Sequence, residues 1–213
     1  MNSVGDAFGF PFRDPAWAGK IAVQAVILII PIVGLIATAG WMLMTFDNLR
    51  AGRQELARAG FHLSRGIGLF GVWFIYSFVL SLPGGILNGM GSSLSTNHSF
   101  SADGFSGLGS LLSLAGQLFF CFLLPSLIVM TYHHGFAGGM DVEGVWRLAI
   151  GNVNTSVMAG LIMFVASIIG VLGIVACCIG IFFTGAYAAA VMTGVASWFE
   201  RQRALPATPP PAV

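Results

Sequence analysis

Four long stretches without charge divide this chain: Lys20 to Asp47, Arg65 to Asp103, Asp103 to Asp141, and Arg147 to Glu200. The last is the most telling. Wound as one helix, positions 148–199 would extend ~78 Å, against ~30 Å for the hydrocarbon core of a bilayer. The segment must therefore fold back on itself inside a membrane, and the chain reads as a polytopic α-helical membrane protein.

The pattern within each stretch predicts the elements. Residues 1–20 mix Phe8, Phe10, Phe12 and Trp17 with Arg13 and Lys20, a composition suited to the headgroup zone. Asp14-Pro15-Ala16-Trp17 predicts a helix start with Asp14 as N-cap. Ile21 to Phe46 is apolar but broken at Pro31-Ile32-Val33-Gly34, which predicts a helical hairpin over 15–50, turning there. Its arms are short, at ~16 residues and ~24 Å each. A single tilted span is the alternative. Leu49, Leu56 and Leu63 recur at every seventh position and predict a helical extension over 47–64 lying along the inner interface.

Gly66 to Leu82 predicts a third helix, stopped by Pro83-Gly84-Gly85, and the Gly- and Ser-rich residues 84–107 read as a flexible external loop. Leu108 to Tyr132 predicts a fourth helix, kinked at Pro125. Asp141 to Ile150 predicts a short amphipathic helix with Val142, Val145, Trp146 and Ala149 on one face. Ser156 to Leu172 and Ile179 to Phe199 complete the set, with a turn near Gly173–Gly180. Leu205 to Val213, rich in proline, should be extended and disordered. The expected fold is all-α, with six membrane helices in three antiparallel hairpins (15–50, 66–132 and 156–199) and five spans as the alternative. One helical membrane domain covers 1–203, and 204–213 is the tail.

Composition sharpens the class. The chain has 213 residues, of which 8% are charged, against roughly 25% for soluble domains. A net charge of +1 implies no nucleic-acid or acidic partner. The length leaves no room for a separate soluble catalytic domain. The first apolar run starts after Lys20 and exceeds the ~7–15 residues of a cleavable leader's core, so it is expected to serve as an uncleaved anchor. Arg50, Arg53, Arg58 and Arg65 crowd one loop, while 84–107 holds no Lys or Arg, which places the former inside and the latter outside. Arg13, Lys20, Arg147, Arg201 and Arg203 also belong inside, so both termini are expected in the cytoplasm of a cell with the chain in its plasma or inner membrane.

Candidate chemistry is sparse. No ionisable side chain falls within a predicted span, whereas proton-coupled transporters and voltage sensors place them there. Gln24 and Gln117 are the largest polar residues at membrane depth and are expected to bond to neighbouring helices. Ala186, Ala190 and Gly194, and likewise Ala166 and Gly170, form rows of small residues for close helix packing, with contact between copies as the alternative. Cys121, Cys177 and Cys178 read as small apolar fillers. Tyr132-His133-His134 with Asp141 and Glu143 is the one cluster with metal-ligand chemistry, but adjacent histidines face different sides of a helix and zinc sites favour i, i+4 pairs. Asn97-His98-Ser99 formally matches a glycosylation acceptor. Nucleophile, P-loop and zincin motifs are missing. No catalytic, cofactor-binding or metal residue is therefore assigned, and the chain is not expected to be an enzyme or to carry a cofactor.

Several residues carry a family resemblance. The run Phe12-Arg13-Asp14-Pro15-Ala16-Trp17-Ala18-Gly19-Lys20-Ile21 resembles the Asp-x-x-Trp-x-x-Lys-Ile opening of a prokaryotic membrane family, domain of unknown function 4013. Ile30-Pro31-Ile32 with Gly34, then Gly40, Arg50 to Gly52, Arg65-Gly66, Tyr76 and Pro83 extend the likeness. Gly173, Cys178-Ile179-Gly180 and Thr184-Gly185-Ala186-Tyr187 continue it to the last helix, so it covers most of 10–203. Leu56-Ala57-Arg58 departs from it where the family often has Leu-Pro and an aromatic. The resemblance implies a multi-pass prokaryotic membrane protein and supplies no functional residues. The expected role is a non-catalytic assembly, scaffold or accessory subunit, with the bilayer and another membrane protein or a further copy as partners. The alternative is a permease or channel for a small neutral solute, bordered by Gln24, Gln117, Tyr76 and the breaks at Pro31 and Pro125.

Overall fold

A computed structural model describes residues 3–94, 100–176 and 179–204. Cys177, Cys178, Asn97-His98-Ser99 and the Pro-rich tail from Leu205 to Val213 lie outside the described residues. The described chain is all-helical: α1 (Asp6–Gly9), a 3-10 turn (Phe10–Arg13), α2 (Trp17–Leu28), α3 (Val33–Arg50), α4 (Leu63–Leu94), α5 (Phe100–Met140), α6 (Val142–Ile150), α7 (Val153–Leu172), a second 3-10 turn (Gly173–Ala176) and α8 (Gly180–Ala204). Four of these helices, α4, α5, α7 and α8, are long and apolar enough to cross a membrane.

Helices α2 and α3 fold against each other. Val33 N–H bonds to the Pro31 carbonyl at 2.6 Å, and Ile32 between them takes φ 63° and ψ −59°. This is a γ-turn, a strained conformation for a β-branched residue. Gly34 packs directly on the backbone of Ile27 and Leu28. The interruption expected at Pro31–Gly34 is thus a reversal of the chain. Asp14 is not the N-cap of α2. That position falls to Ala16, and Asp14 instead accepts from Ala16 N at 2.8 Å one turn earlier.

Two expectations fail for physical reasons. Within 84–107 the described residues 84–94 and 100–107 are helical, not looped: α4 runs through Pro83 to Leu94, and α5 begins at Phe100. Gly84 lies against Gly109 and Ser113, and Gly109 lies against Asn88, so closely that a Cβ at either would overlap its neighbour. Small residues that look like loop composition are here the contact surface of two helices, as they are in membrane bundles generally. That packing offsets the loss of one backbone bond at Pro83. Residues 47–64 are not an interfacial helix either: α3 stops at Arg50, and 51–62 is non-helical. Gly52 at φ 80° ends the helix, with Arg53 N–H bonded back to the Asn48 carbonyl at 2.9 Å, a Schellman closure.

The fourth helix is also longer than Leu108–Tyr132. It departs from helical geometry at Gly135 (φ 66°, ψ −157°), while Pro125 lies buried within it. Beyond Gly135 the chain doubles back, bringing Gly138 and Gly139 against Met130, Thr131 and His134. The short amphipathic helix forms as α6, capped by Asp141, whose side chain accepts from Gly144 N at 3.0 Å. It buries Val145 and Ala149 but leaves Val142 and Trp146 exposed.

Two apolar clusters hold the bundle. One joins Phe46, Val72, Leu127, Met163, Val195 and Phe199 from α3, α4, α5, α7 and α8. The other sets Phe10, Trp41, Leu49 and Leu56 against Ala186, Ala189 and Ala190. The small-residue row of α8 is therefore spent on internal packing, and Gly170 likewise faces Ala188 and Gly185.

Candidate functional site

Backbone that is not helical cannot sit in hydrocarbon unless its polar groups are paired within the protein. Residues 55–57 and 60 pair backbone groups in this way with side chains of α2, α3 and the turn before α2. Asn48 Nδ2 donates to the Glu55 carbonyl at 3.3 Å. Leu56 N–H donates to Asp14 Oδ2 at 3.0 Å, and the Leu56 carbonyl accepts from Lys20 Nζ at 2.7 Å. Ala57 N–H donates to Thr45 Oγ1 at 3.1 Å, and its carbonyl accepts from Trp41 Nε1 at 3.0 Å. Gly60 N–H donates to Gln24 Oε1 at 3.4 Å, while Gln24 Nε2 donates to Thr38 Oγ1 at 3.0 Å. The order of partners shows the path. Positions 55, 57 and 62 face Asn48, Thr45 and Gly40 in turn, so the segment runs antiparallel to α3, nested between α2 and α3.

Glycine makes the nesting possible at one point and seats α4 on α3 at another. A Cβ on Gly40 would overlap the His62 carbonyl, and one on Gly66 would overlap the Ile36 carbonyl. Asp14 is the electrostatic pivot of the cradle. Its side chain is only 2% exposed and meets Lys20 Nζ at 2.7 Å. Burial alone would raise its pKa, but hydrogen bonds from Lys20 and from the Ala16 and Leu56 amides outweigh that and hold it below the ordinary value.

A second polar cluster closes the same end of the bundle. Arg65 pairs with Asp47, Asp47 accepts from Tyr132 Oη at 2.5 Å, and Arg50 lies 5.2 Å over the Tyr132 ring. Arg50 Nε meets Glu200 at 3.2 Å, and Glu200 also meets His133 Nε2 at 2.6 Å. Arg201 donates to the Leu49 carbonyl at 2.5 Å. These links tie α3, α4, α5 and α8 together. Several members are half exposed, where such pairs contribute little singly.

The residues weighed as metal ligands are divided among separate tasks. His133 pairs with Glu200, Asp141 caps α6, and Glu143 pairs with Arg147. Gln24 is locked into the cradle. Gln117 lies on α5 beside Cys121, at 3.8 Å from its sulfur, and borders a space of about 40 Å³ shared with Ser77, Ser81 and Ser113. Sequence reasoning missed the cradle itself, whose acceptors and donors Asp14, Lys20, Trp41 and Thr45 each look unremarkable in sequence.

A family model described as "Protein of unknown function (DUF4013)" matches residues 23–196. No curated protein and no solved structure matches the chain.

Proposed function

Because the chain belongs to the DUF4013 family, a family without an assigned activity, we propose its function from geometry: it is a non-catalytic integral membrane subunit that assembles laterally with another membrane protein or a further copy. Six helices lie in the membrane as three hairpins, α2–α3, α4–α5 and α7–α8. The first enters from and returns to the cytoplasmic side without reaching the outer face. Its helices have 12 and 18 residues, ~18 and ~27 Å, short of a ~30 Å core. Its tip, Ile29 to Val33, is exposed and apolar. Leu28 sits beside Gly185, about five residues or ~7.5 Å inside the start of α8. Submergence of the tip accounts for all three facts.

Orientation has its own support. Arg13 bonds to Gln54, Lys20 to Asp14, Arg50 to Glu200, Arg53 to Asn48, Arg65 to Asp47 and Arg201 to Leu49, so the basic residues collect at one end of the bundle. That end is cytoplasmic by the positive-inside rule, and with it both termini.

The observation that carries the assembly reading is α4. Its neighbours are α5 and α3, and it leaves Ile67, Phe74, Phe78 and Leu82 bare on one face. Phe70, Phe74 and Phe78 stack along it at 6.0 and 6.3 Å, a preordered aromatic ridge for helix contact. A photo-crosslinking residue at Phe78 in native membranes should give one discrete protein adduct. Lipid adducts alone at Phe74, Phe78 and Leu82 would end this reading.

A permease reading finds support in Ser77, Ser81, Ser113 and Gln117, which converge between two membrane helices on a space sized for about one water. Labelling of Ser113→Cys by aqueous reagents would favour it, and complete protection would reject it.

A further inference from the structure

Of the lysines and arginines, Lys20, Arg50, Arg65 and Arg147 are paired with carboxylates. Arg13, Arg53, Arg58, Arg201 and Arg203 have no carboxylate partner among the described residues. Arg13, Arg53 and Arg58 gather on the segment between α3 and α4. Arg53 and Arg58 belong to it, and Arg13 joins it by a hydrogen bond to Gln54, 41 positions along the chain. All three are exposed.

Their partners fix them without neutralising them. Arg13 donates to Gln54 Oε1, and Arg53 donates to Asn48 Oδ1 at 2.8 Å. An amide oxygen holds a guanidinium in place but leaves its charge and most of its five donors available. The Arg58 guanidinium has no hydrogen-bond or ion-pair partner among the described residues. Asp14 and Asp47 are already bound to Lys20 and Arg65, so Glu55 is the one opposing carboxylate within 51–62, and the patch is positive. Its borders are apolar. Phe12, packed against the rings of Trp17 and Tyr187, and Phe61 are each more than half exposed. Just beyond Phe61, α4 begins at Leu63 and is long and apolar enough to cross a membrane. Guanidiniums suit phosphate, and exposed rings suit the zone between headgroups and acyl chains. Both together at the foot of a membrane helix match a lipid surface better than an acidic peptide, which would leave the rings bare.

We propose that Arg13, Arg53 and Arg58 form a docking surface for anionic phospholipid headgroups of the inner leaflet, with Phe12 and Phe61 entering the lipid beneath them. The surface rests on the membrane placement proposed above, so its test must separate the two ideas.

Trp17, whose ring centre lies 4.8 Å from that of Phe12, and Trp73, exposed on α4, serve as internal reporters, each isolated as the fluorescence lost on Trp17→Phe or Trp73→Phe. The purified full chain in detergent at low salt is titrated with phosphatidylglycerol or phosphatidylcholine, each bearing a doxyl quencher high on one acyl chain. Trp17 should be half-quenched at a severalfold lower concentration of phosphatidylglycerol, while Trp73 responds equally to the two lipids. Arg58→Gln removes a side chain without a partner, so folding is spared, and should raise the phosphatidylglycerol concentration needed at Trp17 by about fivefold. Arg147→Gln changes the net charge equally but lies outside the patch, and should leave that concentration unchanged. Equal quenching of Trp17 by both lipids, with Trp73 also quenched, would overturn the surface and spare the membrane placement. An equal loss in Arg147→Gln and Arg58→Gln would reduce the effect to bulk charge and overturn the surface as well. Quenching of neither tryptophan by either lipid would overturn the membrane placement itself and the surface with it.

Discussion

The cradle around residues 51–62 and the α4–α5 pair solve the same problem in opposite ways. Both must satisfy their backbone polar groups. In α4 and α5 the peptide groups are satisfied within each helix, so the side chains are free and much of α4 lies bare. In the cradle the backbone is non-helical, and groups of residues 55–57 and 60 are satisfied one by one from Asp14, Lys20, Gln24, Trp41, Thr45 and Asn48. A helix tolerates substitution along its faces, because no single side chain carries its hydrogen bonding. A non-helical segment depends on the individual side chains that pair with it. The comparison teaches that the sensitive part of this molecule is its irregular segment, and mutation should reveal the contrast.

The largest effect is expected where the cradle has no spare space. Gly40→Leu would drive a side chain into the His62 carbonyl and should cost about 3 kcal/mol or more, seen as loss of the monodisperse peak in detergent. Leucine at Gly85 of α4, where a Cβ meets nothing within 4 Å, should be tolerated. Trp41→Ala removes a fully buried ring and the donor to Ala57, and should lower stability by ~3–5 kcal/mol in a thermal melt. Phe78→Ala on the bare face of α4 should change the melt little.

Asp14→Asn comes next, at about 1–3 kcal/mol, since it weakens the bonds to Lys20 and Leu56. It also carries a pH signature. The folded-state pKa of Asp14 is depressed, so its contribution is complete above the ordinary carboxylate value and is lost as pH falls through the lower, folded one. Melting temperature should fall on acidification in the parent chain, and this component should vanish in Asp14→Asn. The smallest effect belongs to Arg147→Ala. Its partner Glu143 sits four residues earlier, with both side chains more than three-quarters exposed, so the change should stay within ~0.5 kcal/mol.

How much of this could be read in the sequence follows the same divide. The helical class, the helices long and apolar enough to cross a membrane, the reversal at Pro31 and the α6 helix all follow from local pattern. Pro83-Gly84-Gly85 misled because glycine and serine serve loops and tight helix contacts equally, and only the partner helix decides between them. Residues 51–62 misled more deeply. Leu49, Leu56 and Leu63 have helical spacing, yet Leu56 is buried in a non-helical segment whose partners lie up to 42 positions away in the chain. One local signal was available: Gly52 just past Arg50, where a helix-ending glycine belongs. The candidate site was illegible for the same reason, since Gln24 and Asp14 acquire meaning only from the backbone they hold.

The most direct test concerns the submerged tip. In a chain with Cys121, Cys177 and Cys178 replaced by alanine, Ile32→Cys, Ser106→Cys and Arg53→Cys can be probed in oriented vesicles with a membrane-impermeant maleimide. The account predicts labelling of Ser106→Cys from outside, of Arg53→Cys from inside, and of Ile32→Cys from neither face. Labelling of Ile32→Cys from the outer side would mean that α2 and α3 cross the bilayer completely, and would contradict the account.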